Sequence, residues 1–380
     1  MNRYILIYAV CLIFLSCGNN ASDENPSTDG QNLSSNNQNS TEQSAEDNIE
    51  LIVVLDKIRL RDKAGLDGVE LEQLTKGTKL TFLGEISDFT DKILLRGIEY
   101  DDPWLKVQIK DGQEGWIYGG AVKFESDKTN EALKNVLITK RLKRLFGSRM
   151  VQEVEAYQRQ YKDTKTDEAF AELYRSNKKL EVEMNEKLAN LYQFDKLSEA
   201  DLYNQPDLFW IDDPIPAMSL SLVAEGTIYQ IYTNINDFSK KAKQTQGTLD
   251  DEFVAILKQM YDDDVAQGYP SWFLQTWDYG GYSLLGQGKH IKMLNRLDSL
   301  AAKTPLFNNE IERIKNSIVS DITDGQHYGE KSETIVAEID SILYNNHPVL
   351  TDSDIIVLKN RRPMFTEPDR FKISVYEKDF

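Results

Sequence analysis

Two spacings of apolar residues divide the chain. From Leu51 to Phe124 the apolar positions form short runs separated by Gly and Asp turns, with strand candidates at Leu51 to Leu55, Val69 to Leu74, Lys79 to Gly84, Trp104 to Ile109 and Glu114 to Tyr118. In the fourth run Leu105, Val107 and Ile109 alternate with Trp104, Lys106 and Gln108. The first set is predicted to face a core and the second, Trp104 included, to face solvent. Asp111 and Gly112 both tolerate positive φ and mark a tight hairpin. A segment of this length and pattern predicts one small barrel.

Beyond Ser126 the period becomes helical. Between Thr166 and Gln193, residues Phe170, Leu173, Leu180, Met184, Leu188 and Leu191 fall on one stripe of a helix. Similar stripes recur at Phe253, Leu257 and Met260, at Ile311, Ile314, Ile318 and Ile322, and at Ile335, Ile339 and Ile342. They predict an all-α domain long enough to bury its own core, without an internal repeat of fixed period. The expected fold is therefore multidomain, a small all-β barrel followed by a larger all-α helical domain.

Two stretches interrupt the helical pattern. Asn204 to Pro216 holds three prolines and the run Leu208-Phe209-Trp210-Ile211, which reads as a loop plugged into the core by its aromatics. Gly268 to Gly288 interleaves Tyr269, Trp272, Phe273, Trp277, Tyr279 and Tyr282 with five glycines and Pro270. Flat rings on a Gly-rich scaffold can stack on sugars, so Trp272, Trp277 and Tyr279 are candidates for a glycan platform. The competing reading is a core segment in which glycine permits close packing of large rings. In the tail, Phe371 to Tyr376 alternates apolar and polar residues and can either add a strand or wrap the body.

Composition changes the picture at the N-terminus. Tyr4 to Leu15 is an apolar run of twelve residues, too short to span a bilayer of about 30 Å, and it reads as the core of a signal peptide. Around Cys17 the order Phe14-Leu15-Ser16-Cys17-Gly18 resembles the lipobox of bacterial lipoproteins, whose cysteine carries lipid and becomes the new N-terminus. Phe14 and Leu15 depart from the usual pattern, which leaves an ordinary secretory signal or an uncleaved anchor as alternatives. Gly18 to Asn48 contains six acidic residues, no Lys or Arg and one large apolar residue, Leu33, so it reads as a flexible tether. The resulting division is a signal at 1–16, a lipidated tether at 17–48, the barrel at 49–125, the helical domain at 126–360 and a tail at 361–380.

Formal net charge is -18, and removal of Arg3 with the signal would make it -19. Nucleic acid is excluded as an expected partner, since binding it needs a basic surface. Cys11 and Cys17 are the two cysteines. Cleavage before Cys17 leaves one, carrying lipid, so neither a disulfide nor a thiol nucleophile is expected.

The barrel segment resembles the bacterial SH3 (SH3b) domain. The matching pieces are Leu60-Arg61-Asp62 with the turn Gly65 to Gly68, Lys76-Gly77-Thr78-Lys79-Leu80, and Trp104-Leu105-Lys106-Val107 leading to Asp111-Gly112 and Gly115-Trp116-Ile117-Tyr118. The stretch Asp88 to Pro103 is longer than the family's usual loop, and Leu60 stands where the family often has a polar residue. The resemblance implies an extracytoplasmic binding module, with Asp62, Trp104, Trp116 and Tyr118 as candidate ligand residues. Packing of the barrel by Trp116 and Trp104 is the competing reading.

Other candidate chemistry is sparse. Asp262, Asp263 and Asp264 lack the interleaved spacing of a calcium loop, and His290, His327 and His347 lack zinc spacing. No metal, cofactor or catalytic residue is therefore expected. Lys140, Arg141, Lys143 and Arg144 flank the stripe Ile138, Leu142 and Leu145 and read as one wet helix face. The leading expectation is a non-catalytic, lipid-anchored protein of the cell envelope, at an outer membrane, facing periplasm or cell surface. Its binding partner would be peptidoglycan or an envelope protein. The alternatives are a peptidoglycan hydrolase with a glutamate in the helical domain and a purely structural lipoprotein.

Overall fold

The computed structural model describes residues 49–125, 130–191, 208, 215–223, 228–261, 269–276 and 280–375. The signal, Cys17 and the tether lie outside the described residues. So do Phe209, Trp210, the Asp262 to Asp264 run, Trp277 and Tyr279.

The alternating segment folds as a curled antiparallel sheet of β1 (Ile49–Val53), β2 (Ile58–Arg61), β3 (Glu70–Leu74), β4 (Lys79–Leu95), β5 (Ile98–Ile109), β6 (Glu114–Tyr118) and β7 (Val122–Phe124). Neighbours run in the order β3-β2-β6-β5-β4-β1-β7. Leu105, Val107 and Ile109 are buried, as their alternation requires, and pack with Leu51, Leu60, Leu80 and Ile117. At Gly115 the strands come so close that a Cβ would lie 2.6 Å from Leu60 Cγ, so only glycine fits there.

Asp88 to Pro103 is a hairpin arm rather than a long loop. Thr90 pairs with Pro103 and Leu95 with Ile98, and Arg96 and Gly97, both at positive φ (47° and 80°), turn the chain between them.

The helical region begins with α1 (Glu131–Lys134), capped by the Asn130 side chain, and passes through one wide turn at Asn135–Thr139 into α2 (Lys140–Phe146). It continues with α3 (Ser148–Asp163), α4 (Asp167–Leu191), α5 (Ile235–Ala242), α6 (Leu249–Tyr261), α7 (Lys289–Ala301), α8 (Asn308–Asp324), α9 (Ser332–Asn345) and α10 (Asp352–Arg361). The stripe residues Phe170, Leu173, Leu180, Met184 and Leu188 are all buried, as are those of α6, α8 and α9.

The expectation of an all-β domain followed by an all-α domain is overturned: the fold is mixed α/β. Strands β8 (Met218–Val223) and β9 (Ile228–Thr233) form a hairpin on α4, where Asn185 both donates to the Ile231 carbonyl (2.7 Å) and accepts from its N–H (2.8 Å). Short strands β10 (Phe273–Gln275), β11 (Gly281–Ser283), β12 (His327–Tyr328) and β13 (Ser374–Val375) make a second small sheet, so the tail contributes a strand. Nor do the curled sheet and the helices keep separate interiors. The described residues belong to one compact unit whose apolar core runs from Leu51 to Ile373.

The basic face expected around α2 is also corrected. Arg141 is fully buried and donates to the carbonyls of Gly119 (2.7 Å) and Val122 (2.9 Å) at the end of the curled sheet. Among the described residues no helix is long and apolar enough to cross a membrane.

Candidate functional site

The curled sheet has a second, smaller apolar cluster on its outer face. Cross-strand register sets Trp104 opposite Tyr118 and Lys106 opposite Trp116, so these four side chains share the face turned away from the main core. The alternation thus placed Trp104 on the correct side but gave it the wrong environment. The β4–β5 arm folds over it, leaving Trp104 2% exposed, Tyr118 4% and Tyr100 0%.

Polar contacts lock the arm down. The Trp104 indole donates to Asp91 Oδ2 (2.7 Å), and its backbone N–H donates to Ser87 Oγ (2.9 Å). The Tyr118 hydroxyl donates to the Asp91 carbonyl (2.8 Å) and accepts from the Asp102 N–H (3.0 Å). Burial pushes that hydroxyl's pKa far above the usual tyrosine value. The two rings meet edge to face at 5.6 Å.

Trp116 is the member of this cluster that keeps part of its surface, packed with Ala64, Ile93 and Leu95 around the three buried rings. Asp62 does not reach it as a ligand group would. Its carboxylate accepts from the Val69 N–H (2.7 Å) and braces the 62–68 loop, while Arg61 donates to the Gly68 carbonyl and sets its guanidinium 5.7 Å from the Trp104 ring. Phe89, 44% exposed on the arm, lies beside Gly65 of that loop, and Leu66 is 55% exposed. The structure therefore brings Trp104, Trp116 and Tyr118 together under a loop that Asp62 shapes. Trp116 keeps part of its surface, and Leu66 on the loop and Phe89 and Leu94 (70%) on the arm are exposed, three residues that escaped sequence reasoning. An apolar residue in a Gly-Asp turn (Gly65-Leu66-Asp67) was the available signal for Leu66.

The Gly-rich aromatic stretch has a different role from a glycan platform, at least at Trp272, which is fully buried against His290 with ring centroids 6.0 Å apart. Ser283, His290 and Asp321 meet nearby, but their wiring is not that of a nucleophile and its base. Both the Ser283 hydroxyl (2.5 Å) and His290 Nε2 (2.7 Å) bond the same oxygen of Asp321, and serine and histidine are buried. Glu338 completes the knot by accepting from the N–H groups of Gly286 (2.6 Å), Gly288 (2.9 Å), His290 (3.1 Å) and Ile291 (3.2 Å). His347 bonds Asp298 (2.5 Å) and His327 is exposed, so the three histidines sit apart in function. Among the described residues no three His, Cys, Asp or Glu side chains converge as metal ligands.

One carboxylate stands out electrostatically. Asp250, buried in the first turn of α6, accepts from the Thr245 hydroxyl (2.6 Å) and the Asp251 N–H (2.8 Å), and its own N–H donates to Asp167 Oδ1 (3.1 Å). Burial pushes its pKa up to about 6, and the Asp167 carboxylate pushes the same way.

Comparison of the chain with family models, with curated proteins and with solved structures finds no match to any of them.

Proposed function

We propose that this is a lipid-anchored envelope protein whose SH3b-like barrel binds peptidoglycan or an envelope protein through its aromatic face, without catalysing a reaction. The observation that carries the reading is the partly exposed Trp116 on a base of buried rings, with Leu66 exposed on the loop and Phe89 on the arm, whose respective residues Ala64 and Ile93 pack against that cluster. A rigid aromatic platform offers large contact area at little conformational cost, and such residues dominate binding energy at interfaces. Anchoring rests on the lipobox-like sequence ending at Cys17, where acyl chains at about 0.8 kcal/mol per methylene give stable attachment when two or more are present. The acidic tether from Gly18 to Asn48, which has no Lys or Arg, supplies reach between lipid and barrel.

The test is co-sedimentation of the full chain with peptidoglycan sacculi, beside Trp116→Ala, with the supernatant assayed for released muropeptides. Sedimentation that weakens roughly tenfold in the variant is expected, as for a central aromatic contact. Absence of sedimentation would redirect the search to envelope proteins, and released fragments would replace the binding reading with hydrolysis. In cells, Cys17→Ser should move the protein out of the membrane fraction; retention there would remove the lipid anchor from the proposal.

A further inference from the structure

A second surface of the barrel lies away from the aromatic face. Among the described residues strand β3 ends the sheet, with β2 as its one neighbour in the strand order, and Glu70, Leu71, Glu72 and Gln73 are all exposed. Beside it opens a cavity of about 430 Å³, bounded by Glu72, Gln73, Leu74 and Thr75 on one side and by Lys79, Ile109, Lys110 and Asp111 on the other. That volume falls within the usual range for ligand sites. Leu74 and Ile109 are buried and give it an apolar floor, while polar and charged groups form the rim.

We propose that the free edge of β3 and this cavity form a docking groove, which takes an extended, basic segment of a partner protein by strand addition. An edge strand presents a row of main-chain donors and acceptors that another extended chain satisfies in register. The cavity beside it receives alternate side chains of the added strand, and Val69 (65% exposed) and Leu71 (39%) supply apolar contact outside it.

Charge selects the occupant. Lys79 is already paired with Glu125 (2.8 Å) and Glu70 with Arg59 (2.8 Å). Among the described residues neither Glu72 nor Asp111 has a cation in ion-pair range, which leaves two carboxylates facing the single Lys110. Glu72 sits opposite the buried Leu60 in the β2–β3 register, so its charge points toward the concave side. An inward-pointing charge on an edge discourages indiscriminate pairing, and a segment bringing Lys or Arg relieves that penalty. A second copy of this chain does not, because pairing β3 with itself sets its own glutamates against one another in a molecule of net charge -18.

The full chain is titrated with a blocked peptide of about eight residues alternating lysine and valine, long enough to match a typical strand. Beside it run the same peptide N-methylated at alternate positions, a glutamate–valine counterpart, and the Glu72→Lys and Trp116→Ala proteins. Expected are binding of the lysine–valine peptide with slowed amide exchange over Glu70–Leu74, and affinity at least roughly tenfold weaker on N-methylation, on charge reversal of the peptide and in Glu72→Lys. Trp116→Ala should bind the peptide unchanged, which separates this groove from the aromatic face. Equal binding of the N-methylated peptide, loss of binding in Trp116→Ala, or no binding below about 1 mM overturns the proposal. Concentration-dependent self-association that Glu72→Lys abolishes would assign the edge to a second copy and overturn it as well.

Discussion

Asp250 is a buried carboxylate whose raised proton affinity is open to a direct test. Its carboxyl, raised to about 6 by burial and by Asp167, holds its proton more tightly in the folded chain than in the unfolded one, where the ordinary value is 3.8. Folding therefore gains from this group fully below pH 3.8, and the gain is lost as pH rises through about 6. Asp250→Asn keeps the size and an acceptor for the Thr245 hydroxyl but cannot ionise. Thermal denaturation of both proteins between pH 4 and pH 7.5 should show the asparagine variant gaining on the parent as pH rises, with the change centred between the two values. A stability difference that stays flat with pH would mean that Asp250 ionises normally despite its burial. At this scale the sequence was nearly silent: an Asp in the first turn of a helix is ordinary, and the opposing Asp167 lies 83 positions away.

At the scale of elements, α7 shows a helix start built from elsewhere in the chain. Its N-cap, Gly288 in a left-handed conformation (φ 75°), has no side chain to offer, and Glu338 of α9 takes the orphan N–H groups instead. Glu338→Gln removes the charge and turns an amide donor toward other donors, at a cost of about 1–3 kcal/mol. Hydrogen exchange should speed up at Gly288 to Ile291 before it changes in α4, and uniform loss of protection would argue that Glu338 supports the whole body rather than one cap.

The same contrast explains which elements were legible. Long helices announce themselves through stripes such as Ile311, Ile314, Ile318 and Ile322, all buried in α8. The β8–β9 hairpin carried a readable sign as well, since Ser219 and Ser221 alternate with Met218 and Leu220, but the surrounding helical period masked it. Strands β12 and β13 have two residues each, too few for any period to register. The β4–β5 arm was hidden for another reason: one of its faces is only partly covered, by Ile93 and Leu95 on the aromatic cluster, and the other carries both Lys92 and Leu94 to solvent, so charged and apolar residues mix without a clean alternation. Its closure over Trp104 depends on Asp91 and Ser87, whose role exists only once the arm has folded back.

For the described residues as a whole, the decisive feature is that the curled sheet and the helices share one core, and Arg141 is the polar rivet at their junction. Its guanidinium serves the Gly119 and Val122 carbonyls from across 22 and 19 positions, which a pattern of basic residues on a helix could not reveal. Arg141→Met keeps most of the side-chain length but leaves both carbonyls without that donor, and the expected loss is about 1–3 kcal/mol. Because the core is continuous, the loss should fall equally on both parts. Denaturant titration read by hydrogen exchange on peptides covering Trp104–Tyr118 and Asn308–Asp324 should give one shared midpoint in the parent and one shared, lower midpoint in the variant. Two separated midpoints in the parent would mean that the barrel folds by itself. The aromatic face and the β3 edge would then belong to a tethered module, rather than to a surface held rigid by the helices behind it.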